Sequence, residues 1–217
     1  MSTFATNDPH AAGDLLHAGE ALNSAMGAVI LLHGRGGSAA DILSLSGPLE
    51  VPGIAYVAPE AAGRTWYPES FLAPRERNEP WLTSALNRIE QTILSLEQAG
   101  LARDRIVLCG FSQGACLSTE FVASHPARYA GLIAFTGGLV GPVGSDLRHP
   151  GDLLGTPALL SSGNPDPHVP WTRVQESADE LTRMGAHVTT RLYPGRPHTV
   201  TADEIADARN LLQSAFR

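Results

Sequence analysis

The sequence predicts an α/β fold, with a mostly parallel central sheet and helices on both of its faces. Three observations carry that reading. Short continuous apolar runs, at residues 28–32, 53–58, 106–108 and 130–135, have the pattern of strands buried on both sides. Segments with helical periodicity or helix-start chemistry lie between them. The stretch 105–118 reads as strand, tight turn and helix in direct succession, with Ser112 at the apex of Gly110-Phe-Ser-Gln-Gly114.

The elements follow in order. Residues 1–27 are weakly patterned, broken by Gly13, Gly19 and Gly27, with room for one or two short edge strands or a helical turn. The first buried strand ends in His33-Gly34-Arg35-Gly36-Gly37, and Ser38 or Asp41 starts a helix that runs to about Leu45. The strand at 53–58 stops at Pro59. An irregular stretch, 63–78, carries Trp66, Tyr67, Phe71 and Leu72. A long amphipathic helix covers residues 80–99, apolar at 82, 85, 86, 89, 93, 94 and 96, and Gly100 ends it. After the Ser112 unit and the strand at 130–135, a Gly/Pro-rich connection (137–156) leads to a strand at 158–161. That strand opens into Gly163-Asn-Pro-Asp166. A polar-faced helix spans 171–184, and residues 187–193 alternate as an edge strand does. Pro197 and His198 lie in the next loop, and Thr201 with Glu204 forms a capping box for the last helix. There is no repeat and no linker, so the chain reads as one domain over 1–217, with no room for a large lid domain.

Composition excludes several functions. A formal net charge of −7 argues against nucleic acid or an anionic membrane surface as a partner. Every one of the 15 basic residues is arginine, which removes Schiff-base and Ser-Lys chemistry. Cys109 and Cys116 bracket Ser112 and read as buried thiols, without metal-ligand spacing. The N-terminus lacks the basic start and apolar core of a signal peptide, and no apolar run approaches the ~20 residues of a membrane helix. The expected address is the cytoplasm, with no membrane insertion.

The strand-turn-helix context makes Gly110-Phe-Ser-Gln-Gly114 a nucleophile elbow, in which the glycines let the helix pack close against the strand. Serine needs a base, and the base needs an acid. Asp166 follows one later strand and His198 the next, so the order serine, acid, histidine matches the α/β-hydrolase arrangement. His168 suits packing or capping better, His125 and His149 read as structural or exposed, and His187 comes too early to face the serine. Asp146 and Asp152 are the fallback acids. For the oxyanion, the N–H of Gln113 at the helix start is one donor and the N–H of Arg35 in the glycine-rich loop the other. That loop reads otherwise as a ligand-free turn or a phosphate cradle; no Lys-Ser/Thr follows it, which excludes a nucleotide P-loop. A metal held by His33, His168, His198 and Asp166 finds no support in spacing, and no cofactor is expected.

Leu32-His-Gly-Arg-Gly-Gly37, Ala58-Pro-Glu60, Thr65-Trp-Tyr67, the elbow, Gly163 with Asp166 and Val169-Pro170, and Pro197-His198 together resemble the phospholipase/carboxylesterase family. These are compact α/β-hydrolases that include bacterial carboxylesterases and acyl-protein thioesterases. The resemblance runs from about residue 28 to the end. It implies Ser112, Asp166 and His198 as triad, Arg35 and Gln113 as oxyanion hole, and Trp66 as a pocket wall. Departures stand at Arg35-Gly36-Gly37, where thioesterase members usually carry Leu-Gly-Asp, at Ser162, where a histidine is usual, and at Asn164-Pro165. They favour an esterase over a thioesterase.

The substrate expectation is a small carboxylic ester with a short to medium acyl chain. The pocket residues expected are Trp66, Tyr67, Phe71 and Leu72 from one roofing loop and Leu139 and Val140 from the other; the aromatic cluster of the first loop reads equally as a cap on the core, since exposure is costly for such side chains. Acyl-thioesterase or lysophospholipase activity is the alternative, and a non-catalytic protein binding a small ligand a third. A homodimer is allowed by the sequence and not dictated by it.

Overall fold

The computed structural model describes residues 8–217; the reading of residues 1–7 as lacking a secretory signal lies outside them. Seven strands form one sheet: β1 (Leu15–Gly19), β2 (Gly27–Leu32), β3 (Ile54–Pro59), β4 (Ile106–Phe111), β5 (Gly131–Phe135), β6 (Pro157–Asn164) and β7 (His187–Pro194). Their spatial order is β1-β3-β2-β4-β5-β6-β7. Every neighbouring pair is parallel except β1 with β3, where Leu16 lies opposite Ala58 in an antiparallel ladder. The helices are α1 (Ala39–Leu43), α2 (Trp81–Gln98), α3 (Gln113–Ser124), α4 (Trp171–Arg183) and α5 (Ala202–Ala215). This is the α/β-hydrolase arrangement, and among the described residues no large lid interrupts it.

Alternation along the central strands builds two cores. Side chains of a strand point to opposite faces in turn. Ala28, Ile30 and Leu32 of β2 and Ile106 and Leu108 of β4 join one cluster, with α2, α3 and α4. Val29, Leu31, Val107 and Cys109 join the other, with α1 and α5. Both faces are covered, which is why β2 is buried at every position. At the edge, β7 is mostly exposed. On α2, Leu82, Ala85, Leu86, Ile89, Ile93 and Leu96 are buried as the periodicity predicts, while Leu94 turns outward at 37% exposure. Ser38 caps α1 by accepting the Asp41 N–H, and the Thr201–Glu204 capping box opens α5.

Because six strands run the same way, the loops that follow β2, β3, β4, β5, β6 and β7 share one rim, the usual place for a ligand in such a sheet. Two connections roof that rim. Buried polar groups, not separate domains, fix them. Arg173 of α4 donates to the carbonyls of Leu139, Gly141 and Pro142 at 2.9, 2.7 and 2.9 Å. Glu120 of α3, fully buried, accepts the Val140 N–H at 3.1 Å and pairs with Arg75 of the first roofing loop and His149 of the second. No helix among the described residues is long and apolar enough to cross a membrane.

Candidate active site

Ser112 sits between β4 and α3 with φ 55° and ψ −117°, a conformation that costs a side-chain-bearing residue free energy. Neighbours hold it there. Its N–H donates to Phe135 O at 3.0 Å and its carbonyl accepts from Cys116 N–H at 3.0 Å. The turn also depends on glycine. A Cβ at Gly110 would land on the backbone of Gly114, and one at Gly114 on the carbonyl of Leu32. These are backbone collisions, which no rotamer change relieves.

The structure brings Ser112, His198 and Asp166 together. His198 Nε2 lies 2.9 Å from Ser112 Oγ, and Nδ1 lies 2.9 Å from Asp166 Oδ2. A carboxylate only accepts, so Nδ1 carries the proton and Nε2 is the acceptor for the serine hydroxyl. The other oxygen of Asp166 accepts the backbone N–H of His168 and Val169, both at 2.9 Å. Burial alone would raise the Asp166 carboxyl; the His198 hydrogen bond and the two N–H donors prevail and hold it below the usual carboxylate value. A hydroxyl, an imidazole and an ionised carboxylate in line can pass a proton from oxygen to nitrogen while the carboxylate stabilises the resulting imidazolium.

His198 rides on an arch whose keystone is Arg196, and no motif in the sequence marks that residue. Arg196 is buried at 6% exposure. It donates to Pro197 O at 2.8 Å, to Thr199 O and to Thr136 Oγ1 at 2.5 Å, and its Nε lies 3.4 Å from Glu204. Glu204 also accepts the Ser161 hydroxyl, which ties the arch to β6. The one hint in the sequence is the capping box, which explains Glu204 but not its second partner. Phe111 and His168 flank the imidazole at 5.1 and 4.8 Å between ring centroids. His168 is exposed and lines the cleft beside His198, closer to the site than its reading as a packing or capping residue places it. The other histidines lie outside the cleft: His125 stacks on Phe121, His149 pairs with Glu120, and His187 opens β7.

The loop after β2 abuts the nucleophile. A Cβ on Gly34 would stand 3.4 Å from Ser112 Cβ, so this backbone approaches as closely as contact allows. Within the turn, Gly36 N–H is taken by Arg64 O and Gly37 N–H by Gly34 O, at 2.8 and 3.0 Å. The Arg35 N–H has no such partner among the described residues. His33 is buried at 1% exposure, accepts from Ala61 N–H, and has its pKa lowered chiefly by desolvation.

A cleft of about 690 Å³ surrounds these groups, and its lining includes Arg35, Tyr67, Phe71, Leu72, Gln113 and His168. Tyr67, Phe71 and Leu72 stand where a pocket wall is expected. Trp66, Leu139 and Val140 are absent from the lining, although they share one buried core cluster with Tyr67 and Phe71. Trp66 has a polar reason to be there. Its indole N–H donates to His33 O at 2.9 Å, and its backbone N–H donates to the Gln113 side-chain carbonyl at 2.9 Å. Leu139 and Val140 are drawn inward by Ser177 and Glu120, which accept their N–H groups. The Gln113 side chain also donates to Tyr67 O at 2.8 Å. Cys116 lines the cleft floor, and burial pushes its thiol up to about 12, so it stays protonated at neutral pH.

Comparison with known proteins adds to this geometry. The sequence profile of the phospholipase/carboxylesterase family matches residues 20–216. A crystal structure of a phospholipase/carboxylesterase from Dyadobacter fermentans is 44% identical, covers 93% of this chain and 96% of that one, and superposes with a TM-score of 0.88. The carboxylesterase of Bacillus cereus, at 18% identity, covers 94% of this chain and 95% of its own with a TM-score of 0.75, a likeness of fold alone. Acyl-protein thioesterase 1 of Gibberella zeae is 30% identical over 129 residues, 58% of this chain; the match spans 53% of that relative, about half its length.

Proposed function

The chain belongs to the phospholipase/carboxylesterase family of hydrolases, and on that premise we propose that it is a serine carboxylesterase acting on short- to medium-chain carboxylic esters through an acyl-enzyme. The observation that carries the reading is the unbroken relay from Ser112 Oγ through His198 to Asp166, with both links at 2.9 Å.

In this mechanism Ser112 attacks the ester carbonyl while His198 takes its proton and returns it to the leaving alcohol. Asp166 keeps the proton on Nδ1 and stabilises the imidazolium. The N–H groups of Arg35 and Gln113 receive the oxyanion, each worth roughly 10²-fold or more in rate. Water then takes the place of the alcohol, His198 acts again as base, and the acid is released. The cleft volume lies within the ~300–1,000 Å³ of small-molecule sites, and the apolar part of its wall (Phe71, Leu72, Phe111) suits an acyl chain of modest length.

A fluorophosphonate probe should label Ser112, and Ser112→Ala should lose label and turnover by a factor on the order of 10⁴ to 10⁶ while keeping its thermal unfolding curve. Near-normal hydrolysis by that variant overturns the mechanism. Acetyl to palmitoyl p-nitrophenyl esters, compared side by side, test the pocket: a rate maximum at palmitoyl refutes a short cleft. The second reading is an acyl-thioesterase, supported by the curated relative of that name. Matched oxygen and sulfur esters of one acyl chain separate the two.

A further inference from the structure

Resting on the esterase reading above, we infer that Arg35, assisted by His168, selects esters that carry an anionic group, such as half-esters of dicarboxylic acids. The residue has two separable parts. Its backbone faces the nucleophile through Gly34, whose Cβ position stands 3.4 Å from Ser112 Cβ. Its guanidinium is held in place on the wall of the same cleft, donating to Pro68 O at 2.7 Å and Glu69 O at 2.6 Å.

That pair of contacts fixes the position of a charge without neutralising it. Carbonyl oxygens accept two of the five guanidinium N–H groups, and the remainder are available to a ligand. No carboxylate pairs with Arg35 among the described residues. The acids nearby are otherwise committed. Glu69 pairs with Arg77 at 3.4 Å, and Asp166 gives one oxygen to His198 and the other to two backbone N–H groups. His168, exposed beside His198, adds a second nitrogen donor from the opposite loop. Glu69 also lines the cleft, but its carboxylate is turned to Arg77, which leaves the Arg35 guanidinium as a local positive charge able to draw in an anion. A guanidinium already held by its surroundings loses little side-chain freedom when it grips a carboxylate, so the recognition is preorganised.

The test compares kcat/KM for p-nitrophenyl butyrate with that for mono-p-nitrophenyl glutarate, and for the butyryl ester of 4-hydroxybenzoate, at low and high salt. The first anionic ester carries its carboxylate on the acyl side, the second on the alcohol side. Wild type should favour at least one of them over the neutral ester by about 10-fold, through a lower KM, and the preference should shrink as salt rises. Arg35→Gln should reduce the anionic-to-neutral ratio by about 30-fold, the range of a charge-assisted hydrogen bond, and Arg35→Lys should restore part of it. His168→Gln should reduce the ratio less. A wild-type ratio at or below one that ignores salt overturns the inference and leaves the esterase standing. An equal loss on both kinds of ester in Arg35→Gln likewise assigns Arg35 to loop structure alone. No turnover of any ester, with Ser112 unlabelled, overturns both readings.

Discussion

Replacing Gln113 by alanine isolates what a side chain does beside a backbone N–H assigned to catalysis. The amide is 6% exposed and makes three hydrogen bonds to one loop. Its oxygen accepts Trp66 N–H at 2.9 Å and Thr65 Oγ1 at 3.3 Å, and its nitrogen donates to Tyr67 O at 2.8 Å. Alanine strips the partner from the buried Trp66 N–H, whereas the Tyr67 carbonyl keeps the Thr65 hydroxyl as a donor at 3.1 Å. One orphaned group costs about 1–3 kcal/mol. The middle of that range, about 2 kcal/mol, corresponds for a chain of this size to a fall in Tm of roughly 4–8 °C. The Gln113 N–H remains in the variant, so the loss should fall more on KM than on kcat as the Tyr67–Leu72 wall loosens. Urea unfolding and p-nitrophenyl ester kinetics read both effects. A Gln113→Ala variant within about 0.5 kcal/mol of wild type, with unchanged KM, refutes the anchoring argument.

Asp166→Asn keeps the shape of the acid but presents an N–H₂ or a neutral oxygen to His198, and kcat should fall by roughly 10⁴ as the imidazole takes the wrong tautomer; a loss under tenfold refutes the role. His149 has its pKa raised, first by the hydrogen bond to Glu120. A raised histidine contributes stability that is complete below its unfolded value of about 6.5 and is lost as pH climbs through the folded value. The stability difference between wild type and His149→Gln should therefore shrink from pH 6 towards 8, while His10 and His33, whose pKa values are lowered by burial, contribute in the opposite sense to both proteins; a difference that ignores pH contradicts the pairing. Gly114→Ala should cost more than about 3 kcal/mol or fail to fold, since its Cβ meets the Leu32 carbonyl, whereas Gly36→Ala, left-handed at φ 78° but open on all sides, should cost about 1 kcal/mol. The reverse order of these two, measured by denaturant unfolding, contradicts the packing at the elbow.

The fold was legible because parallel strands buried on both faces leave uninterrupted apolar runs, as β2 and β4 do, and because breaks such as Gly100 and caps such as Ser38 punctuate the helices. Ser112, Asp166 and His198 could be ordered from sequence, since each follows a strand and the strands share a direction; the relay itself appears only once the loops are folded. Trp66, Leu139 and Val140 lie outside the cleft lining for a physical reason that sequence does not display. An aromatic or aliphatic side chain in an irregular loop carries no periodicity to say which side of the backbone it occupies. In each case a polar partner far along the chain decides: His33 and Gln113 for Trp66, Ser177 for Leu139, Glu120 for Val140. Arg196 and Arg173 carry no signal for the same reason, because an arginine directed inward looks in sequence like one directed at solvent. The antiparallel pairing of β1 with β3 leaves no local signature either.

The indole of Trp66 joins the glycine loop after β2 to the wall of the cleft, and Gln113 joins both to the helix behind the serine. Under the proposed mechanism, substitutions at Leu72, which lines the cleft and is only partly buried, should alter substrate preference while this scaffold keeps the glycine loop and the serine turn in place. Retuning the enzyme then meets a boundary: cleft-lining side chains can be exchanged, whereas Trp66, buried and tied to His33 and Gln113, holds the loops together.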